Sequence, residues 1–145
     1  MQVRHILGDK GGTIISIGPE ACLAEAARLL AERRIGALVV RDKSGALAGI
    51  LSERDLVRAM ASGGAAALDQ TVDRYLTREV VTCRLTDTTE MLMETMTRGR
   101  FRHLPVLDDH GLLCGLVSIG DVVKSRIAET EREAQDLRVY ISATA

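Results

Sequence analysis

The sequence predicts an α+β fold in which two tandem β-α-β-β-α units pack pseudo-symmetrically, face to face, into one module. The first observation behind this is an internal repeat: displaced by 66 positions, residues 14 to 58 lie over residues 80 to 124 without a gap. Ten positions are then identical, namely Arg34/Arg100, Leu38/Leu104, Val40/Val106, Asp42/Asp108, Gly45/Gly111, Leu47/Leu113, Gly49/Gly115, Ser52/Ser118, Asp55/Asp121 and Val57/Val123. Unrelated stretches of this length share roughly three by average residue usage. The second is that nine of the ten fall in the latter half of the aligned stretch, as expected of two copies of one supersecondary element, neither of which buries its apolar side alone. The third is size: 145 residues at 46% hydrophobic suffice for one compact domain or for two small units sharing a core.

The elements follow in order. Thr13 to Ile17 is a short β-branched run ended by Gly18-Pro19, which cannot continue a ladder. Leu23, Ala26, Ala27, Leu30 and Ala31 recur at helical spacing, with Arg28, Glu32 and Arg33 on the opposite side, so 20 to 33 reads as a helix packed by one face. Ala37 to Val40 and Leu47 to Leu51 form a hairpin around the turn Asp42-Lys43-Ser44-Gly45, and Ser52 opens a second helix through Met60. The second copy repeats the order: strand Val80 to Cys83, helix Thr89 to Thr97, strand Leu104 to Leu107, turn Asp108 to Gly111, strand Leu113 to Val117, and a helix from Ser118. The repeats are expected over residues 8–62 and 75–131. Between them, Ala61 to Gln70 is rich in Ala and Gly with no apolar period and reads as a flexible connection. A smaller echo, Val3 to Leu7 against Val72 to Leu76, reads as a short helix before each first strand. The last helix runs past its counterpart along a seam of Val123, Ile127, Thr130, Ala134, Leu137 and Ile141, spaced by fours and threes. That seam suits either a helix lying on its own module or pairing between subunits.

Composition narrows the function classes. A net charge of −1, with acids and bases interspersed, offers no basic field for a nucleic-acid backbone or an anionic membrane. Apolar runs break within about ten residues, against the roughly 20 needed to span a bilayer, and no signal-peptide region leads the chain; the expectation is a cytoplasmic protein. Cys22, Cys83 and Cys114 lack disulfide or zinc spacing and read as free thiols. With no Trp, one Phe and two Tyr, the core must be aliphatic and base-stacking platforms are missing.

Chemistry concentrates where each repeat ends, at Gly49-Ile50-Leu51-Ser52-Glu53-Arg54-Asp55 and Gly115-Leu116-Val117-Ser118-Ile119-Gly120-Asp121. Taken once, Ser-x-x-Asp after a strand is an ordinary helix cap. The same geometry offers more: a helix N-terminus with its amide groups and a Ser hydroxyl suits a phosphate, and a carboxylate one turn later has two oxygens for the hydroxyls of a ribose. The glycine before it admits close approach.

Two tandem units of this size, Arg102-His103-Leu104-Pro105-Val106 on the second strand, and Gly-h-h-Ser-x-x-Asp closing each copy, resemble a tandem pair of CBS domains, a Bateman module, in the manner of stand-alone bacterial CBS-pair proteins. The likeness covers nearly the whole chain, although the first copy has Gly36-Ala37-Leu38-Val39 where the second has Arg102-His103-Leu104-Pro105. The resemblance implies an adenine nucleotide (AMP, ADP, ATP, NAD or S-adenosylmethionine) as a regulatory ligand in two clefts between the repeats. One cleft would use Ser52 and Asp55 with Val81, Cys83, Arg102, His103, Leu104 and Pro105. The other would use Ser118 and Asp121 with Ile15, Ile17, Ala37, Leu38 and Val39. The first is expected to be tighter, because Arg54, Arg102 and His103 can neutralise phosphate where the second has Gly120 and Ala37. A surface strand end with solvated charges is the other reading of Arg102 and His103; His5 and His110 read as plain surface residues.

The leading expectation is a non-enzymatic sensor of adenine nucleotides in signal transduction, acting as a homodimer on an unidentified protein effector. The chain lacks a nucleophile elbow, a P-loop, a metal-ligand cluster and a convincing acid/base pair, which argues against a nucleotide-acting enzyme. A constitutive assembly module with self-filled clefts is the third possibility.

Overall fold

The computed structural model describes residues 1 to 10 and 13 to 144; residues 11 and 12, within the expected first repeat, lie outside the described residues. In chain order the elements are α1 (Val3–Lys10), β1 (Ser16–Ile17), α2 (Leu23–Arg33), β2 (Ala37–Arg41), β3 (Leu47–Ser52), α3 (Glu53–Gly63), a 3₁₀ turn (Gly64–Asp69), α4 (Val72–Tyr75), β4 (Cys83–Arg84), α5 (Thr89–Gly99), β5 (His103–Leu107), β6 (Leu113–Ser118) and α6 (Ile119–Thr144). They form the two β-α-β-β-α units read from the sequence. Each unit has a three-stranded sheet whose first strand runs parallel to the second and whose second runs antiparallel to the third. The registers match through the repeat: Ile17 faces Val40 and Val40 faces Gly49, as Cys83 faces Val106 and Val106 faces Gly115.

The identical residues mark backbone positions with little freedom. Arg34 and Arg100 end α2 and α5 in the left-handed region, at φ 54° and 57°. Gly45 and Gly111 close the hairpin turns at φ 86° and 76°, where an L side chain is strained. Beside them the Asp42 carboxylate accepts hydrogen bonds from the Ser44 and Ala46 amides at 2.8 and 3.1 Å, and Asp108 from the His110 and Leu112 amides at 2.8 and 3.0 Å. The Ser44 hydroxyl foremost at Asp42, and the Leu112 amide at Asp108, hold both carboxyls below the ordinary carboxylate value.

Two aliphatic cores result. Leu23, Ala26 and Leu30 of α2 close over Leu38, Val40 and Leu51 in the first, and Leu92 and Met96 of α5 over Leu104, Val106 and Val117 in the second. The short helices cross between them. α1 precedes the first unit yet places Val3 and Ile6 in the second core, whereas α4 precedes the second unit and its Val72 lies in the first. The backbone repeats this exchange: Val3 N–H donates to Asp87 O and Arg4 N–H to Leu85 O (2.9 and 3.1 Å), as Val72 N–H donates to Ala21 O and Asp73 N–H to Pro19 O (2.8 and 2.9 Å). Each repeat is therefore completed by the leader of the other, which ties them into one module.

Two local expectations change. Ala61 to Gln70 is ordered: α3 continues to Gly63, and the 3₁₀ turn buries Ala67 against α2 and α3. Small side chains allow that close fit without any apolar period, so the pattern gave no sign of it. The first strand of each unit is shorter than Thr13 to Ile17 and Val80 to Cys83 suggest: β1 pairs with β2 only at Ser16 and Ile17, and β4 with β5 only at Cys83 and Arg84. α6 is 26 residues long, anchored by Val122, Ser125 and Glu129, while residues 131 to 144 are exposed throughout. Burial opposes ionisation of Glu129, but hydrogen bonds from the Met1 ammonium, Arg126 and Thr89 outweigh it and hold the carboxyl below its usual value.

Candidate functional site

The strand starts of the two repeats meet where the pseudo-twofold relates them. Glu53 N–H, at the start of α3, donates to Gly36 O at 3.0 Å, and Ile119 N–H, at the start of α6, donates to Arg102 O at 2.8 Å. A Cβ on Gly36 would stand 3.3 Å from the His103 ring. The glycine thus gives His103 of the second repeat room against the first.

A cleft of about 620 Å³ opens beside this junction. That lies within the range of small-molecule sites, roughly 300 to 1,000 Å³. Ser52, Glu53, Arg54, Asp55 and Arg58 supply one side, Thr77, Glu79, Val80 and Val81 of the connection a second, and Gly99 to His103 a third, with Gly36, Ile50 and Ile119 completing the lining. Of the residues expected in the first cleft, Ser52, Arg54, Asp55, Val81, Arg102 and His103 all line it. Cys83, Leu104 and Pro105 are buried and are not among its lining residues; Cys83 and Leu104 belong to the second core. Burial, with Asp87 and Cys114 nearby, pushes the Cys83 thiol up to about 12.

The Ser52–Asp55 pair forms a reciprocal capping box. Asp55 Oδ2 accepts from the Ser52 amide at 2.8 Å and the Ser52 hydroxyl at 3.1 Å, while the Asp55 amide donates to Ser52 Oγ at 3.4 Å. The remaining oxygen, Oδ1, receives the Thr77 hydroxyl at 3.5 Å and has Arg58 at 4.0 Å. With Asp55 only 7% exposed, Oδ1 is the atom left to meet a ligand hydroxyl. Glu53 and Asp55 already place two carboxylates in the first turn of α3 and oppose the attraction of its dipole for a phosphate. The cationic side chains of the lining are Arg54, Arg58, Arg100 and Arg102, set against the carboxylates of Glu53, Asp55 and Glu79.

Arg58, Arg100, Thr77 and Phe101 escaped the sequence reading. A signal existed for the first two. Arg58 follows Arg54 by one helical turn, and Arg100 is one of the ten repeated positions, though its partner Arg34 sits away from this cleft. Thr77 and Phe101 carry no such mark; they arrive through the crossing of α4 and through the packing of the Phe101 ring on Gly99, where a Cβ would collide with it.

At the second expected site, the Ser118 amide donates to Asp121 Oδ2 at 2.8 Å and the Asp121 amide to Ser118 Oγ at 3.1 Å, repeating the box. Ala37, Leu38 and Val39 are buried, and Ile15 and Ile17 are half-buried against the first core. The structure thus gathers the charged members of the first set around open volume, whereas the strand residues of the second set are embedded in their own sheet.

These features define a class: a pair of pseudo-symmetric repeats, completed by each other's leaders, with a cleft bordered by charged residues at their junction. The model of the CBS domain family matches residues 12–62 and 72–128, and the chain belongs to that family. It is 49% identical to a CBS-domain containing protein from Agrobacterium tumefaciens, whose crystal structure aligns over 86% of this chain and 92% of that one with a TM-score of 0.83. A CBS domain protein from Pyrobaculum aerophilum, solved in complex with AMP, is 28% identical over 83% of this chain and 89% of its own, with a TM-score of 0.74. A mitochondrial CBS domain-containing protein of Arabidopsis thaliana is 38% identical over 121 residues, which is 81% of this chain and 58% of that protein.

Proposed function

We propose that this chain is a non-enzymatic regulatory module that binds an adenine nucleotide in the cleft between its repeats. The observation that carries the reading is the convergence of Ser52 and Asp55 from one repeat with Arg100, Arg102 and His103 from the other around that volume. Asp55 Oδ1 accepts a ribose hydroxyl, Arg54 and Arg102 take the phosphates, and the base lies along the Val80–Val81 backbone. Four arginines suit more than one phosphate group, so ADP, ATP and NAD are candidates beside AMP. The AMP complex of the Pyrobaculum relative supports the ligand class. A ligand touching both repeats biases their relative arrangement by its differential affinity, about 1 to 3 kcal/mol in typical coupling, and an effector or a second copy of the chain reads the change.

One observation favours the assembly reading: the capping box satisfies Ser52 and most of Asp55 without a ligand. Thermal denaturation with AMP, ADP, ATP, NAD and S-adenosylmethionine decides between them. At 100 times Kd a ligand adds about 2.7 kcal/mol, several degrees for a chain of this size. A shift abolished in Asp55→Ala and kept in Asp121→Ala supports the sensor and the dominance of the first cleft. No shift with any nucleotide, in a cooperatively unfolding protein, leaves the assembly reading.

A further inference from the structure

We infer that the exposed extension of α6 is one strand of a parallel, in-register, two-stranded coiled coil with a second copy of this chain. The inference rests on the homodimer expected above and is independent of the ligand. Residues 131 to 144 are exposed along their length. A free helical segment of that size is marginal in water, where isolated helices need roughly 12 to 15 residues even in good sequences. The seam Val123, Ile127, Thr130, Ala134, Leu137, Ile141 is apolar but for Thr130, and its four large members are 46%, 54%, 59% and 56% exposed. It lies about 120° round the helix, at 100° per residue, from the face that Val122, Ser125 and Glu129 press on the module. The seam can therefore meet another helix without undocking α6. Val139 lies off it.

The charges beside the seam choose the occupant and its direction. In a parallel pair, flanking positions five residues apart meet, so Arg126 faces Glu131 and Glu133 faces Arg138 of the second copy, twice each and always with opposite sign. In the antiparallel pair that covers the whole seam, Glu131 faces its own copy, Glu133 faces its own copy, and Lys124 faces Arg138, all of like sign. Arg126 already bonds Glu90 and Glu129 at 3.2 and 3.1 Å, so the Glu133–Arg138 contact is the more informative one.

The full chain is tested by light scattering and by mild oxidation of Leu137→Cys, with the native three-cysteine protein as background on non-reducing gels. A dimer at tens of micromolar that forms a Leu137→Cys crosslink to its own copy supports the parallel register. In the antiparallel arrangement the two 137 positions lie about 15 Å apart along the axis, beyond disulfide reach. Glu133→Arg should weaken the dimer roughly tenfold and Glu133→Arg/Arg138→Glu should restore it. A monomer overturns both this inference and the homodimer reading. A dimer that neither crosslinks nor responds to Glu133→Arg overturns this inference alone and places the interface elsewhere.

Discussion

Gly49 and Gly115 are the same residue of the repeat, yet their replacement by Ala should cost very different amounts. A Cβ on Gly49 would enter the backbone of Thr77, reaching its carbonyl oxygen well inside contact and its carbonyl carbon at 3.1 Å. That backbone is fixed to β3 by two hydrogen bonds, Ile50 N–H to Thr77 O at 3.0 Å and Thr77 N–H to Ile50 O at 2.8 Å. The nearest atoms to a Cβ on Gly115 belong instead to the flexible Leu7 side chain, its two methyl carbons at 2.7 and 2.8 Å, rather than to backbone. Overpacking costs about 1 to 3 kcal/mol and each lost bond about 1 kcal/mol, offset by about 0.5 to 1 kcal/mol from the stiffer unfolded chain. The net is about 3 kcal/mol for Gly49→Ala and about 1 kcal/mol for Gly115→Ala. At about 3 °C per kcal/mol for this size, calorimetry should show Tm falling by roughly 9 °C and 3 °C. Thr77 also touches Asp55, so Gly49→Ala should lose nucleotide binding while Gly115→Ala keeps it. A Gly49→Ala Tm within a degree of the parent, or the larger loss at Gly115→Ala, would refute the close-approach argument.

Other consequences follow from burial and charge. Cys83, whose thiol burial pushes up to about 12, should resist alkylation at pH 8 in the folded protein and react only on unfolding, which peptide mass spectrometry resolves. Asp42 and Asp108 have folded values below their ordinary 3.8. Their contribution is thus present above that pH and lost as the pH falls below it; Asp42→Asn/Asp108→Asn should show a smaller drop in urea midpoint between pH 6 and pH 3 than the parent. Val3, fully buried in the second core, should on Val3→Ala cost about 2 kcal/mol and raise amide exchange in β5 and β6 before β2 and β3; the reverse order would contradict the crossing of α1. On the proposed binding mode, Arg102→Ala should weaken ATP or NAD more than adenosine in calorimetric titrations, since that mode sets its charge against the phosphates and away from the nucleoside.

The fold was legible because its constraints are local and occur twice. Turn glycines at positive φ, turn aspartates closing on their own amides, and Ser-x-x-Asp caps each depend on a few neighbouring residues, and one copy corroborates the other. The exchange of α1 and α4 was not legible, since the echo of Val3 to Leu7 in Val72 to Leu76 shows that two helices exist without showing which core each enters. The same crossing carries Thr77 into the cleft, so its absence from the sequence reading has the same cause. Cys83, Leu104 and Pro105 illustrate a different limit. A strand's position in a motif says that it borders the junction, but not how far along the strand both faces are covered, and in β5 the strand start at His103 borders the cleft while Leu104 to Val106 are buried.

The repeat also explains why the two junction sites need not be equivalent. Six of the ten identities, Arg34/Arg100, Asp42/Asp108, Gly45/Gly111, Gly49/Gly115, Ser52/Ser118 and Asp55/Asp121, preserve turns, caps and close approaches, and Leu38/Leu104 and Val40/Val106 preserve the cores, while other side chains expected at the clefts diverge: Arg54 against Gly120, Arg102 against Gly36, His103 against Ala37. Gly36 is where this divergence becomes structural. Its missing side chain leaves space for the His103 ring, so the residue that removes a cation from the second set lets the first set place an imidazole at the edge of its own cleft. Gly36→Ala tests that coupling directly. At 3.3 Å from the ring a methyl group forces His103 to shift by a few tenths of an ångström, and nucleotide affinity at the first cleft should fall with little loss of Tm. An unchanged affinity would mean that His103 borders the site without contributing to it.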